Sequence, residues 1–168
     1  MKESVEIDRR PFEGRRITLR TRTPFDQVVA RLEATFPRID PNQIDAIVVA
    51  GDGPGLRGFL ERSAPGTSFN VFFSLDQGGA MTLLGTPLKA RFYLVGNALI
   101  AQRLFALEPA AGLSAPVRIV ISEAADGATH IDYEEPTSVF GQFATLRESP
   151  VPRLLDEKLR EALTAIAT

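Results

Sequence analysis

Arg118 and Tyr133 are the side chains in this chain best suited to recognising a small anion. A guanidinium offers a fixed fork of N–H donors to a carboxylate or phosphate, and a tyrosine adds a phenol and a flat apolar wall. The two residues stand on runs 117–123 and 129–133, which are separated by Asp126-Gly127, a strong β-hairpin signal. A two-residue turn there pairs Val120 with Tyr133, Glu123 with His130 and Arg118 with Glu135, and a four-residue loop keeps the same pairing. In that register Arg118 and Tyr133 lie diagonally on one sheet face beside Ser122. With the Gly96-Asn97 corner they make a candidate ligand-binding pocket. The plainer reading is a cross-strand Arg118–Glu135 ion pair with Tyr133 packed under it.

Other chemistry is narrowed mostly by exclusion. The absence of cysteine removes disulfides, thiolate metal sites and cysteine nucleophiles. His130 is the one histidine, so a His-rich metal site cannot be built within one chain and a Ser-His-Asp triad would have to use it. Opposite Glu123 it can form a proton-transfer pair, although a hairpin tip is seldom enclosed and a surface pair is the simpler reading. Gly53-Pro54-Gly55-Leu56-Arg57-Gly58 matches the dinucleotide pattern G-x-G-x-x-G. The apolar run before it carries helix-start signals, and proline between the first two glycines restricts the required turn. The elements after it read as antiparallel hairpins, whereas that site needs a parallel sheet. No catalytic residue, metal ligand or cofactor is assigned. A net charge of −2 does not favour nucleic acid. No apolar run is long enough for a membrane span, and the N-terminus lacks a signal-peptide core, so a cytoplasmic location is expected.

The elements that must position these residues follow from periodicity. Residues 1–14 read as a flexible N-terminal segment and residues 15–168 as one domain. Residues 15–23 alternate as a half-buried strand, with Ile17, Leu19 and Thr21 inward and a basic outer face that neighbouring acids would neutralise. Thr23-Pro24 opens a helix with the stripe Val28, Val29, Leu32 and Phe36. Asp40-Pro41 opens a second helix, and a third short one is expected over 56–63. Residues 67–75 read as a strand with Phe69, Val71, Phe73 and Leu75 on one face. Turns at 76–79 and 85–87 then bracket a short strand, 81–84, before another at 88–95. Asn97 caps a helix over 98–107, residues 137–148 are ambiguous, and Ser149-Pro150 opens a last helix with the stripe Leu155, Leu159, Leu163 and Ile166. Asp156 and Arg160 are placed as a surface pair on that helix.

Within these elements the chain resembles a family known as the domain of unknown function 302 (DUF302). The resemblance rests on Tyr93-Leu94-Val95-Gly96-Asn97, then Leu99-Ile100-Ala101, Pro109-Ala110-Ala111-Gly112-Leu113 and Ala115-Pro116-Val117-Arg118. Tyr133-Glu134-Glu135-Pro136-Thr137-Ser138 and Leu155-Asp156-Glu157-Lys158-Leu159 complete it, and residues 37–66 fit least well, as a variable insertion. The chain departs from the family at Ala98, Gln77, Ser114 and Glu134, where proline, histidine in an Asp-His-Gly turn, tyrosine and aspartate are frequent. The resemblance implies an α+β fold, with a mainly antiparallel sheet and helices on one face in a TATA-binding-protein-like arrangement. It implies a homodimer as well, and it names no catalytic residue. The expected function is a non-enzymatic module binding a small anionic or apolar ligand. An enzyme on a small carboxylate or phosphate, and a purely structural dimerisation domain, are the alternatives.

Overall fold

A computed structural model describes residues 5–64 and 69–168. Five strands form one antiparallel sheet: β1 (Arg16–Thr21), β2 (Asn70–Leu75), β3 (Ala90–Gly96), β4 (Val117–Glu123) and β5 (Thr129–Glu134), in the order β1-β5-β4-β3-β2. The helices are α1 (Phe25–Thr35), α2 (Pro41–Val49), α3 (Gly53–Ser63), α4 (Gln77–Leu83), α5 (Ala98–Phe105), α6 (Pro136–Phe140) and α7 (Val151–Ala167). The fold is therefore α+β, with helices against one face of the sheet. Val28 and Leu32 of α1 and Leu155, Leu159 and Leu163 of α7 pack on Ile119, Ile121, Ile131 and Tyr133 of the inner strands.

Alternation in β1 comes out as the sequence indicates. Ile17 and Leu19 pack on the core, and of the two outward arginines of the strand Arg16 meets Asp132 at 3.7 Å, while Arg20 stands across from His130 with no acidic partner among the described residues. The α1 stripe is buried as expected, but its start differs. Pro24 itself is the N-cap, and the Thr23 hydroxyl donates instead to the Ala167 carbonyl at 2.9 Å. The Thr21 hydroxyl donates to the same oxygen at 2.6 Å, so the carbonyl end of α7, which has no helical partner of its own, is tied to the end of β1.

Two expectations about residues 67–88 are corrected, and residues 67 and 68 lie outside the described residues. The pairing of β2 with β3 slips between Val71 and Phe73, so Val71 faces the core while Phe73 and Leu75 emerge on the opposite face. A bulge inserts one extra residue and reverses the alternation beyond it. The turn and short strand expected over 76–84 are instead α4, while the turn expected at 85–87 follows it, with Gly85 at φ 86°. Asp76 caps α4 by accepting from Gly79 N at 2.8 Å, and Gly78 fits where any Cβ would lie 2.6 Å from the Leu88 carbonyl and the Ala90 amide. The capping aspartate outweighs the poor helical propensity of paired glycines.

Residues 37–64, the described part of the expected insertion, are anchored by polar contacts. Asn70 is buried, and its amide donates to the Ser63 carbonyl at 2.8 Å and the Pro37 carbonyl at 3.1 Å. Residues 37–39 add a short parallel bridge along the outer edge of β2, from Arg38 to Val71. Neither α2 nor α3 contributes a buried residue. The G-x-G-x-x-G pattern falls inside α3, behind another helix and capped by Asp52. The strand-turn-helix geometry of a dinucleotide site is not formed there.

Candidate functional site

The hairpin that carries Arg118 and Tyr133 has a three-residue loop. The Ala124 amide donates to the Ala128 carbonyl at 2.8 Å, the Gly127 amide to the Ala124 carbonyl at 2.9 Å, and Gly127 sits at φ 76°. This is a type I turn followed by a left-handed residue, one residue different from the expected turn in register. Ile119 therefore pairs with Tyr133, Ser122 with His130 and Glu123 with Thr129. An odd shift in register moves a side chain to the other face of the sheet. The expected Arg118–Tyr133 pocket is not formed. Tyr133 is 4% exposed in the core, while Arg118 stands on the uncovered face and donates to Glu134 through Nε at 2.8 Å and Nη2 at 2.5 Å. The arginine's partner is Glu134 rather than Glu135, which binds Arg15. Ser122 and His130 share the uncovered face, and Glu123 pairs with Lys89 at 2.9 Å rather than with the histidine. Arg118 cannot orient a substrate for proton transfer by Tyr133 across the thickness of the sheet.

The Gly96-Asn97 corner borders a cavity. Asn97 leaves β3 in an extended conformation and caps α5, its side-chain oxygen accepting from the Ile100 amide at 3.1 Å. A Cβ on Gly96 would lie 3.4 Å from Pro116 and 3.5 Å from Phe72, so the glycine lets both side chains close over the corner. Between this corner, α5 and the start of α7 is a partly enclosed space of about 260 Å³. Phe69 and Phe72 line one side, Ala101, Leu104 and Phe105 of α5 another, and Pro116, Phe140 and Leu155 the floor. Asn97 is the one polar side chain among the lining residues. Such a wall favours uncharged, apolar matter, because a desolvated charge there would have no partner. Of the five expected ligand-binding residues, the structure brings Gly96 and Asn97 to this cavity, and Arg118, Tyr133 and Ser122 lie elsewhere. Sequence reasoning missed the α5 and aromatic lining. The available signal was Ala98 and Ala101 on a helix whose large residues turn inward.

Two polar clusters hold the core elements around this space. Tyr93 is fully buried at the centre of β3, and its hydroxyl donates to Glu33 Oε1 at 2.9 Å, which Arg91 Nε approaches at 3.6 Å. Burial, then the bond to Glu33, pushes the phenol well above its ordinary range. At the other side Asp156 is half-buried and caps α6 from α7, accepting from the Thr137 amide at 3.1 Å and from the Thr137 hydroxyl. Burial raises the Asp156 carboxyl above its ordinary value, against the pull of the Thr137 bonds. The expected Asp156–Arg160 surface pair is replaced by this contact. Burial, followed by the Asp156 charge, also raises the Tyr133 phenol.

The sequence profile of a domain of unknown function, DUF302, matches residues 60–166. The chain belongs to the DUF302 family. The matched residues include the Gly96-Asn97 corner, the hairpin and the Thr137–Asp156 junction. The crystal structure of an uncharacterized conserved DUF302 protein from Bacillus stearothermophilus is similar, with a TM-score of 0.56 and 16% sequence identity over 90% of this chain and 94% of that one. At that identity the likeness is one of fold, and it extends beyond the profile match to take in most of the N-terminal third. No curated protein matches the chain. No helix among the described residues is long and apolar enough to cross a membrane.

Proposed function

We propose that this DUF302 domain is a binding module for a small, mainly apolar ligand held beside the Gly96-Asn97 corner. The observation that carries this reading is the phenylalanine-lined space of about 260 Å³, with Asn97 as its single polar side chain. An engineered cavity of about 150 Å³ admits benzene, so this one has room for roughly ten carbon atoms. Nothing in its lining supplies a nucleophile or a charged acid-base pair, which favours binding over catalysis. The test is a thermal-shift and calorimetric series running from benzene to naphthalene, set against acetate and phosphate. The neutral rings should stabilise the protein and the anions should not. Ala101→Leu, which fills the space from α5, should abolish that shift while retaining cooperative unfolding. Equal shifts in wild type and Ala101→Leu would overturn the reading.

A second reading has its own support. The sheet face opposite the helices carries Phe73 at 46% and Leu75 at 48% exposure, and they adjoin Phe92 and Leu94 of β3. The polar end of the same face carries the ion pairs Arg16–Asp132 and Arg118–Glu134, which leaves Arg20 as its one charged side chain without an ion pair among the described residues and limits repulsion between two copies meeting there. We propose that a homodimer forms through this face. Sedimentation should give a dimer for the wild type and a monomer for Phe73→Glu, and a wild-type monomer at 100 μM or above, roughly, would refute it.

A further inference from the structure

The cavity does not end at α5. A second, open groove of about 870 Å³ runs between α3 and α5. Ala98 and Phe105 line both spaces. On a helix of 3.6 residues per turn these two residues fall on one line along the axis. Ala101 and Leu104 lie to one side of that line, facing the cavity, and Leu99, Gln102 and Ala106 lie to the other, facing the groove. Cavity and groove are thus neighbouring sectors around one helix. The wall between them is low at Ala98, where the side chain is a methyl group, and high at Phe105.

The two spaces differ in polarity. The cavity has aromatic and aliphatic walls, whereas the groove brings Arg57 of α3 and Gln102 of α5 together with Leu56 and Leu60. Arg57 has no hydrogen bond or ion pair with another described residue. A ligand that lay over Ala98 would have an apolar end among the phenylalanines and its other end beside a guanidinium and an amide. From these observations we infer that the ligand is a single-chain amphiphile of roughly ten carbons, with its tail in the cavity and a carboxylate head on Arg57. The inference rests on the proposed binding at the cavity and adds the chemical class of ligand and a head-group site. Arg57 here positions the ligand and takes part in no reaction.

Decanoate and decanol, as monomers below their aggregation limits, separate the two ideas in isothermal calorimetry. Decanoate should bind wild type at one per chain, and raising salt from 50 to 500 mM should weaken it. Arg57→Gln, a change at an exposed side chain, should weaken decanoate about five- to tenfold and leave decanol within twofold. Ala98→Leu, which raises the low part of the wall, should weaken decanoate more than naphthalene. If decanol and naphthalene bind but decanoate ignores Arg57 and salt, the amphiphile inference is wrong and the apolar site stands. If no neutral ligand binds, both are wrong.

Discussion

At the scale of the residue, Arg118 is a guanidinium already engaged. Its partner Glu134 lies on the same open face, and both side chains are about half exposed, so the pair contributes little. Arg118→Ala should change unfolding free energy by less than about 1 kcal/mol in urea titrations and leave decanoate affinity unchanged. Asp156 is the more consequential charge. Folding holds its proton more tightly than the ordinary value of 3.8, so the folded state binds more protons than the unfolded chain just above that pH. Its contribution to stability therefore falls as pH rises from 3.8 through the elevated folded value. Asp156→Asn keeps an acceptor for the Thr137 amide and should flatten this part of the stability profile in denaturant titrations run at successive pH values. Asp156→Ala loses both bonds to Thr137 and should cost about 1–2 kcal/mol at neutral pH.

At the scale of the element, the β4–β5 hairpin decides which side chains share a face. Asp126-Gly127 was legible as a turn, but a dipeptide does not say whether two or three residues lie outside the ladder. The difference sends Arg118 and Tyr133 to opposite sides of the sheet. Gly127 at φ 76° is the conformational requirement of the three-residue loop. Gly127→Ala should destabilise the fold by about 1–2 kcal/mol, and Gly127→Asn by less, because asparagine tolerates the left-handed region. Chemical denaturation of the three proteins measures the ranking. The bulge in β2 was invisible for the same reason: alternation predicts faces only while the ladder is unbroken, and Phe69, Val71, Phe73 and Leu75 alternate on both sides of it. In α4 a local cap, Asp76, prevailed over glycines that read as a turn.

At the scale of the whole molecule, stability is unevenly distributed. Strands β3, β4 and β5 have core side chains that are fully buried, including Tyr93, Ile119 and Ile131. Helices α2 and α3 bury none and are tethered through Asn70 and the bridge at residues 37–39. Amide exchange in α2 and α3 should proceed through local openings well below the global unfolding free energy, while the central strand amides exchange only on global unfolding. Exchange measured by NMR or mass spectrometry tests this. Uniform protection across both regions would contradict it. Since α3 forms one wall of the groove, the same openings would admit a ligand to the space beside α5.

The sequence by itself determined the α+β class, the caps at Asp40 and Asn97, the inward stripes of α1 and α7, and the family. Each of these is encoded by neighbours a few residues apart, as a 3.6- or 2-residue period, a capping side chain or an ordered string of motifs. Only the tertiary structure decided where the cavity lies. Phe69, Ala101, Pro116, Phe140 and Leu155 come from five separate stretches and enclose a space that no one of them signals. An enclosed volume depends on how elements pack, and packing is set by contacts between distant parts of the chain, which local periodicity does not record.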